Sequence, residues 1–208
     1  MLWIKIVICV LTGYLLGNLN GAVSISTLMK DDVRSHGSGN AGLTNFIRNY
    51  GRSKALGVIG VDAAKAVLSC LVGGYLLQPD GMYAEGVAIG GAAVMVGHVF
   101  PVLLGFRGGK GILSGLFIGM VADWRIALIA GGVFFILYFI TRYVSLGSVV
   151  GVIAFGASFW VIFWGNWVVM GCALFMTLLA LFMHRTNIAR LIAGTETKTN
   201  LFAKGKSQ

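Results

Sequence analysis

GFRGGKG at residues 105–111 runs straight into ILSGLFIGMVA at 112–122, and the architecture turns on this junction. The second stretch carries no charge, yet it holds only 11 residues. At 1.5 Å per residue, such a helix covers roughly half of a hydrocarbon core about 30 Å thick. Something must reach inward to meet it, and the glycine-rich loop is the candidate. Irregular backbone survives at membrane depth only where it lines a watery or protein-walled cavity. The junction therefore predicts a pocket on the side that carries the loop.

The rest of the chain supplies the membrane setting. Of its 208 residues, 57% are hydrophobic and 11% charged, with mean hydropathy +0.86. Soluble domains carry roughly 25% charged residues. A water-soluble enzyme, a disordered tail and a secreted disulfide scaffold are excluded. What remains is an all-α integral membrane protein, read as one polytopic domain over 1–208. Spans are predicted near 2–29, 55–77, 83–104, 112–122, 126–141, 144–164 and 167–183, seven transmembrane helices with a short fourth. Lys5 precedes the first apolar run as in a signal peptide. No small-residue cleavage pattern follows, so it reads as a retained helix. Seven spans place the termini on opposite faces. With the N-terminus outside, 13 of the 16 basic residues fall on the cytoplasmic side, including Lys198, Lys204 and Lys206 of the tail. Asp80, Glu85 and Asp123 fall outside. That asymmetry predicts N-out, C-in.

The 31 glycines recur at four-residue spacing: Gly13, Gly17 and Gly21; Gly86 and Gly90; Gly115 and Gly119; Gly147 and Gly151. Small residues at that interval let helix backbones approach closely. Cys9, Cys70 and Cys172 sit singly in apolar runs and read as core residues.

Groups able to do chemistry gather in three inner segments, 37–48 (GSGNAGLTNFIR), 97–111 (GHVFPVLLGFRGGKG) and 184–198 (HRTNIARLIAGTETK). Gly37, Gly39 and Gly42 spell G-x-G-x-x-G, but no β-strand precedes them and no βαβ unit exists, so a dinucleotide site is excluded. The physics of the motif survives: glycines let backbone N–H groups converge on an anion, and a helix start adds its positive end. Ser38, Asn40, Thr44 and Asn45 add neutral donors, and Arg48 a fork suited to phosphate. The simpler alternative is that Ser38 or Asn40 caps a helix starting near Ala41.

Gly108, Gly109, Lys110 and Gly111 do not form a Walker A loop, since Leu104 stands where a glycine is needed and Gly111 where Ser or Thr is needed. A lysine among glycines ahead of a half-helix still suits an oxyanion or phosphate. Arg107 reads as a headgroup anchor, and His98 as a packing histidine. His184 lies where the last span meets the cytoplasm, with Asn187 at i+3 to orient its ring or bind the same anion. Arg185 and Arg190 read as headgroup-facing cations. Arg142, Ser145 and Ser148 lie near the same face. Asp62 and Lys65 form an intramembrane i,i+3 pair, and Asn18 and Asn20 read as bonds between helices. No His is followed by Asp at the fifth position, where Ala41, Leu103 and Ala189 stand. Inner carboxylates number only Asp31, Asp32 and Glu196, so no metal site and no cofactor are expected.

On these three segments the sequence resembles the membrane-bound acyl-phosphate:glycerol-3-phosphate acyltransferases of bacteria, the PlsY family. The motifs match in order, and the likeness extends to RYVSL at 142–146. Where that family often has Gly-Ser-Ile-Pro in its first span, this chain has Gly17-Asn18-Leu19-Asn20. It also has Arg107 for a usual lysine and Ile112-Leu113 for Val-Ala. The resemblance implies a seven-helix enzyme of the bacterial plasma membrane with its active site facing the cytoplasm. It would move a fatty acyl group from acyl phosphate to the sn-1 hydroxyl of glycerol 3-phosphate, releasing lysophosphatidic acid and phosphate. Implied catalytic residues are Ser38, Arg48, Lys110, His184 and Asn187. Implied substrate contacts are Gly37, Gly39, Gly108, Gly109, Gly111 and Glu196, to which the reading of the residues themselves adds Asn40, Asn45 and Ser148. The expected partners are the two phosphorylated substrates, membrane lipids and, transiently, the enzyme supplying acyl phosphate, with no nucleic acid. A small transporter of phosphorylated or anionic metabolites would share the half-helix and glycine loop. Against it, no internal repeat is visible and the polar motifs crowd one face.

Overall fold

The computed structural model describes residues 1–199 and 201, so Lys204 and Lys206 lie outside the described residues. Ten α-helices follow in order: α1 (Leu2–Gly17), α2 (Gly21–Leu28), α3 (Leu43–Tyr50), α4 (Arg52–Leu77), α5 (Tyr83–Val99), α6 (Ile112–Ala122), α7 (Trp124–Thr141), α8 (Val144–Ile162), α9 (Trp167–Met183) and α10 (Arg185–Ile192). Four stretches are long and apolar enough to cross a membrane, and six if two bent helix pairs are each one span. α6 is the short helix expected from the sequence, with the same bounds.

The first run is not one helix. α1 and α2 meet at a 41° bend, where Asn18 donates back to Tyr14 O of α1 at 2.7 Å and both Asn18 and Asn20 also bond outside the run. Asn20 caps α2, accepting from Val23 N at 3.0 Å, and its amide donates to Ala41 O at 3.1 Å. Asn18 accepts from Leu103 N at 3.0 Å. The two asparagines thus tie the bend to the loops of the first two polar segments rather than helix to helix. α9 and α10 bend by 58° at His184.

Glycine packing follows the predicted spacing. α5 lies between α1 and α4, and α7 lies on α8. A Cβ on Gly13 would come within 2.7 Å of Ala93 Cβ, while Gly17 faces Val94 O and Gly97. Gly73 and Gly86 set the backbones of α4 and α5 directly against one another. Gly147 and Gly151 face the Phe134 and Ala130 carbonyls of α7. Gly115 is the exception. Nothing stands within 4 Å of its missing side chain, and it opens space instead of closing an interface. Outside this packed centre, α1 exposes Trp3, Ile4, Val7 and Leu11, and α7 exposes Leu128, Ile136 and Ile140. Apolar faces of that extent suit lipid, not water.

Gly86→Leu should therefore lower stability by about 3 kcal/mol or more, since overpacking against backbone has no soft neighbour to yield. Gly171→Leu, with nothing within 4 Å, should leave the thermal midpoint in detergent unchanged. Equal midpoints for the two variants would contradict the packing.

Candidate functional site

One cavity of about 790 Å³ opens where the three polar segments converge. Its wall takes Gly37, Ser38, Gly39, Asn40, Asn45 and Arg48 from the first segment. The second contributes His98, Arg107, Gly108, Lys110 and Gly111, and the third His184, Asn187, Arg190 and Glu196. Asp62 of α4, Ser145 and Ser148 of α8, and Thr44, Thr186 and Thr197 add to the polar part. Leu113 and Leu116 of α6, Phe134 and Phe135 of α7, and Val152 and Phe155 of α8 extend it as an apolar region, with Gly115 among them.

The first loop is built around one amide. Asn45, on α3 and 2% exposed, donates to Val33 O and His36 O at 3.0 Å and to Asn40 O at 3.1 Å. Its oxygen accepts from Ser38 N at 3.1 Å. Every hydrogen-bonding position nearest the loop is thus occupied by backbone, and Asn45 shapes the loop. Gly37 and Gly39 hold φ of +56° and +69°, left-handed values that glycine adopts without strain. α3 begins at Leu43 with Gly42 as its cap, so neither Ser38 nor Asn40 caps it. Ser38 is exposed to the cavity with its hydroxyl unbonded to any described residue. Arg48 projects from the last turn of α3 and donates to Thr199 Oγ1.

The second loop folds back on the end of α5. Gly109 N donates to His98 O at 3.1 Å, and a Cβ on Gly109 would fall 2.7 Å from Ala41 O. Gly109, its N–H already used, is not among the residues lining the cavity, as its neighbours Gly108, Lys110 and Gly111 are. Its lack of a side chain lets the second loop approach the first.

The third segment meets Lys110. Lys110 Nζ donates to Asn187 Oδ1, Asn187 Nδ2 donates to Glu196 Oε1 at 2.9 Å, and Arg190 Nε donates to Glu196 Oε2 at 2.6 Å. Asn187 does not orient His184. The His184 ring nitrogen Nδ1 lies 2.8 Å from Ala180 O instead. A carbonyl only accepts, so Nδ1 carries the proton and Nε2 of the neutral ring keeps its lone pair. Burial pushes the Lys110 amine down to about 8, with Arg190 adding repulsion and Glu196 opposing it. Burial alone would raise the Glu196 carboxyl, but bonds from Arg190 and Asn187 hold it below its ordinary range.

The structure thus brings Arg48, Lys110 and His184, from three distant stretches, around a single space. Arg142 is not on the wall; its carbonyl accepts from Thr199 N at 3.0 Å. Sequence reasoning missed Arg107 and Arg190, read as headgroup cations, and left His98 as a packing histidine and Asp62 as half of a pair. Arg190 lies at i+3 from Asn187, a signal that gains meaning only once the tail returns Glu196 to it. Asp62 and Lys65 do pair, at 2.7 Å, as their spacing suggests.

Comparison with known proteins agrees with this arrangement. Residues 7–194 match the family model described as glycerol-3-phosphate acyltransferase. The chain is 40% identical to the glycerol-3-phosphate acyltransferase of Thermoanaerobacter pseudethanolicus, over 92% of this chain and 94% of that one. It is 38% identical to the enzyme of that name from Shouchella clausii, over 94% and 96%. Its fold is similar to the crystal structure of PlsY (YgiH), an integral membrane glycerol 3-phosphate acyltransferase, in its glycerol 3-phosphate form, with TM-score 0.85 and 29% identity over 95% of this chain and 99% of that one. The lysophosphatidic acid form of PlsY gives a TM-score of 0.81 at 28% identity, over 94% of this chain and 96% of that one. With three polar segments closing on one cavity and relatives of this likeness along nearly its full length, the chain belongs to the glycerol-3-phosphate acyltransferase family.

Proposed function

We propose that this enzyme transfers a fatty acyl group from acyl phosphate to the sn-1 hydroxyl of glycerol 3-phosphate. One observation carries the reading: Arg48, Lys110 and His184 share a cavity whose other region is apolar and glycine-widened. Both substrates bear phosphate and one bears a long alkyl chain, so a two-natured cavity fits the pair. Arg48, the Ser38 hydroxyl and Lys110 hold phosphate oxygens, and the space beside α6, α7 and α8 takes the chain. Holding the reactants together supplies much of the acceleration, because acyl phosphate is already activated. The glycerol oxygen forms its bond to the acyl carbon, the carbon–oxygen bond to phosphate breaks, and inorganic phosphate departs with the electron pair. His184 Nε2, with its free lone pair, accepts the hydroxyl proton. Asn187 and Glu196 hold Lys110 and Arg190 in place, and Asn45 holds the first loop.

The same reading places seven spans in the bacterial plasma membrane, N-terminus outside, with the cavity facing the cytoplasm. The bent pairs count as single spans and α6 as the short fourth. Membrane lipids surround the protein, and the enzyme supplying acyl phosphate meets it transiently. The transporter reading gains nothing from the structure, since the polar segments serve one cavity rather than two ends of a path.

Purified protein in detergent, given acyl phosphate and glycerol 3-phosphate, should release inorganic phosphate and lysophosphatidic acid in equal amounts. It should do so without coenzyme A, acyl carrier protein or added metal. Absence of phosphate release from folded protein would refute the acyl-phosphate assignment.

A further inference from the structure

Lys65 is a charged side chain sunk in the bundle, 2% exposed. Its Nζ lies 2.7 Å from each of Asp62 Oδ1, Leu19 O and His98 Nδ1, with Gly17 O farther off at 3.5 Å. A neutral amine here would leave the Asp62 carboxylate as an uncompensated buried charge, which is strongly unfavourable. Lys65 is therefore an ammonium, with three N–H donors for its three nearest neighbours. The carboxylate and the carbonyl only accept. His98 Nδ1 must accept the third proton, because an N–H there would face another N–H. A neutral imidazole whose Nδ1 accepts carries its own proton on Nε2.

That Nε2–H has no acceptor among the described residues. It lies against Gly109, so close that any side chain at 109 would overlap it, and His98 is part of the cavity wall. We infer that His98 donates its Nε2–H to a phosphoryl oxygen of a substrate seated in the cavity. Lys65 is the positioning residue that fixes the donor tautomer. The inference rests on the acyl-transfer reading for the identity of the phosphate, but not for the tautomer. It also gives a reason for the glycine at 109 beyond loop contact: the position must stay open for the ring.

Nitrogen NMR of the histidine side chains, with His98→Gln used for assignment, should find His98 protonated at Nε2 and bare at Nδ1. Titration with inorganic phosphate should shift its Nε2–H resonance. A proton on Nδ1, or a resonance indifferent to phosphate, would overturn the inference. In the Asp62→Asn, Lys65→Met double variant both charges go together, and the resonance should lose its exclusive Nε2–H form. An unchanged tautomer there removes Lys65 from the role. Kinetically, His98→Leu should lower kcat/KM by roughly 30-fold, the expected loss for one bond to a charged group. Most of this should appear in KM, and His98→Gln, which restores an N–H near the Nε2 position, should recover most of it. The KM that rises identifies the phosphate as that of glycerol 3-phosphate or of acyl phosphate. Equal losses in the Leu and Gln variants would mark His98 as packing only, and no loss in either would remove it from the site. If wild-type protein fails to turn over, the acyl-transfer reading fails alone, while the spectra and the phosphate titration still test His98.

Discussion

Arg48→Ala should lower kcat/KM by roughly 1000-fold while the protein melts as wild type does. The magnitude follows from where the guanidinium sits. One preorganised donor to developing or resident anionic charge, in a site shielded from water, is worth about 100- to 1000-fold in rate. A two-pronged guanidinium on phosphate lies at the upper end. Retained folding follows from how little else Arg48 holds: its hydrogen bond goes to Thr199 in the tail and to no helix. Burial draws its guanidinium below the ordinary value, Glu196 opposes this and Arg190 adds to it, so the bare site holds its cations under mutual repulsion. A phosphate relieves that repulsion, and removing one cation weakens substrate binding rather than the fold. Arg48→Lys should restore only part of the activity, because an ammonium keeps the charge and loses the fork. Steady-state kinetics in both substrates, beside thermal melting in detergent, check the expectation. Normal kinetics in Arg48→Ala would take Arg48 out of the site.

What could be read in advance, and what could not, divides along a physical line. The short helix at 112–122 was legible because its length is a property of local sequence, and the structure gives it the same bounds. Glycine spacing predicted close backbones for the same reason, since period and side-chain size are both local. The break after Gly17 was not legible, because the apolar run continues through it. Asn18 and Asn20 bond locally to Tyr14 and Val23, but the bend is also tied to Leu103 and Ala41, partners far away in sequence. Gly108, Gly109 and Gly111 look alike in a string of letters. Only the packing of Gly109 on His98 O and Ala41 O sets it apart from neighbours that line the cavity. Arg190 is indistinguishable from a headgroup anchor until the tail returns Glu196 to it. His98 is the sharpest case, for its protonation depends on a lysine 33 residues earlier. Charge, length and period are local and can be read; which wall a residue faces, and where a proton sits, are properties of the assembled bundle.

Lys110 should give the enzyme an alkaline limit that a single substitution removes. Its amine is pushed from 10.5 down to about 8, first by burial and then by Arg190. Below pH 8 the group is a cation facing the cavity, and above it the group is neutral and its hold on phosphate weakens. The rate constant kcat/KM reports the free enzyme, so it should fall as pH rises through about 8. A bound phosphate favours the ammonium, so the same limb in kcat should move to higher pH. Lys110→Arg should abolish the limb, because a guanidinium stays charged throughout the range. Lys110→Met should be flat with pH and lower in kcat/KM by roughly 100- to 1000-fold. Stability should run the opposite way. A lysine whose folded pKa lies below its unfolded value opposes folding most where it is charged in both states. The unliganded protein should therefore gain stability between pH 8 and 10.5 while it loses activity. A purely structural lysine would show both properties moving together, or neither. Opposed slopes in melting and turnover would place the charge where phosphate uses it, and parallel slopes would remove Lys110 from the binding role.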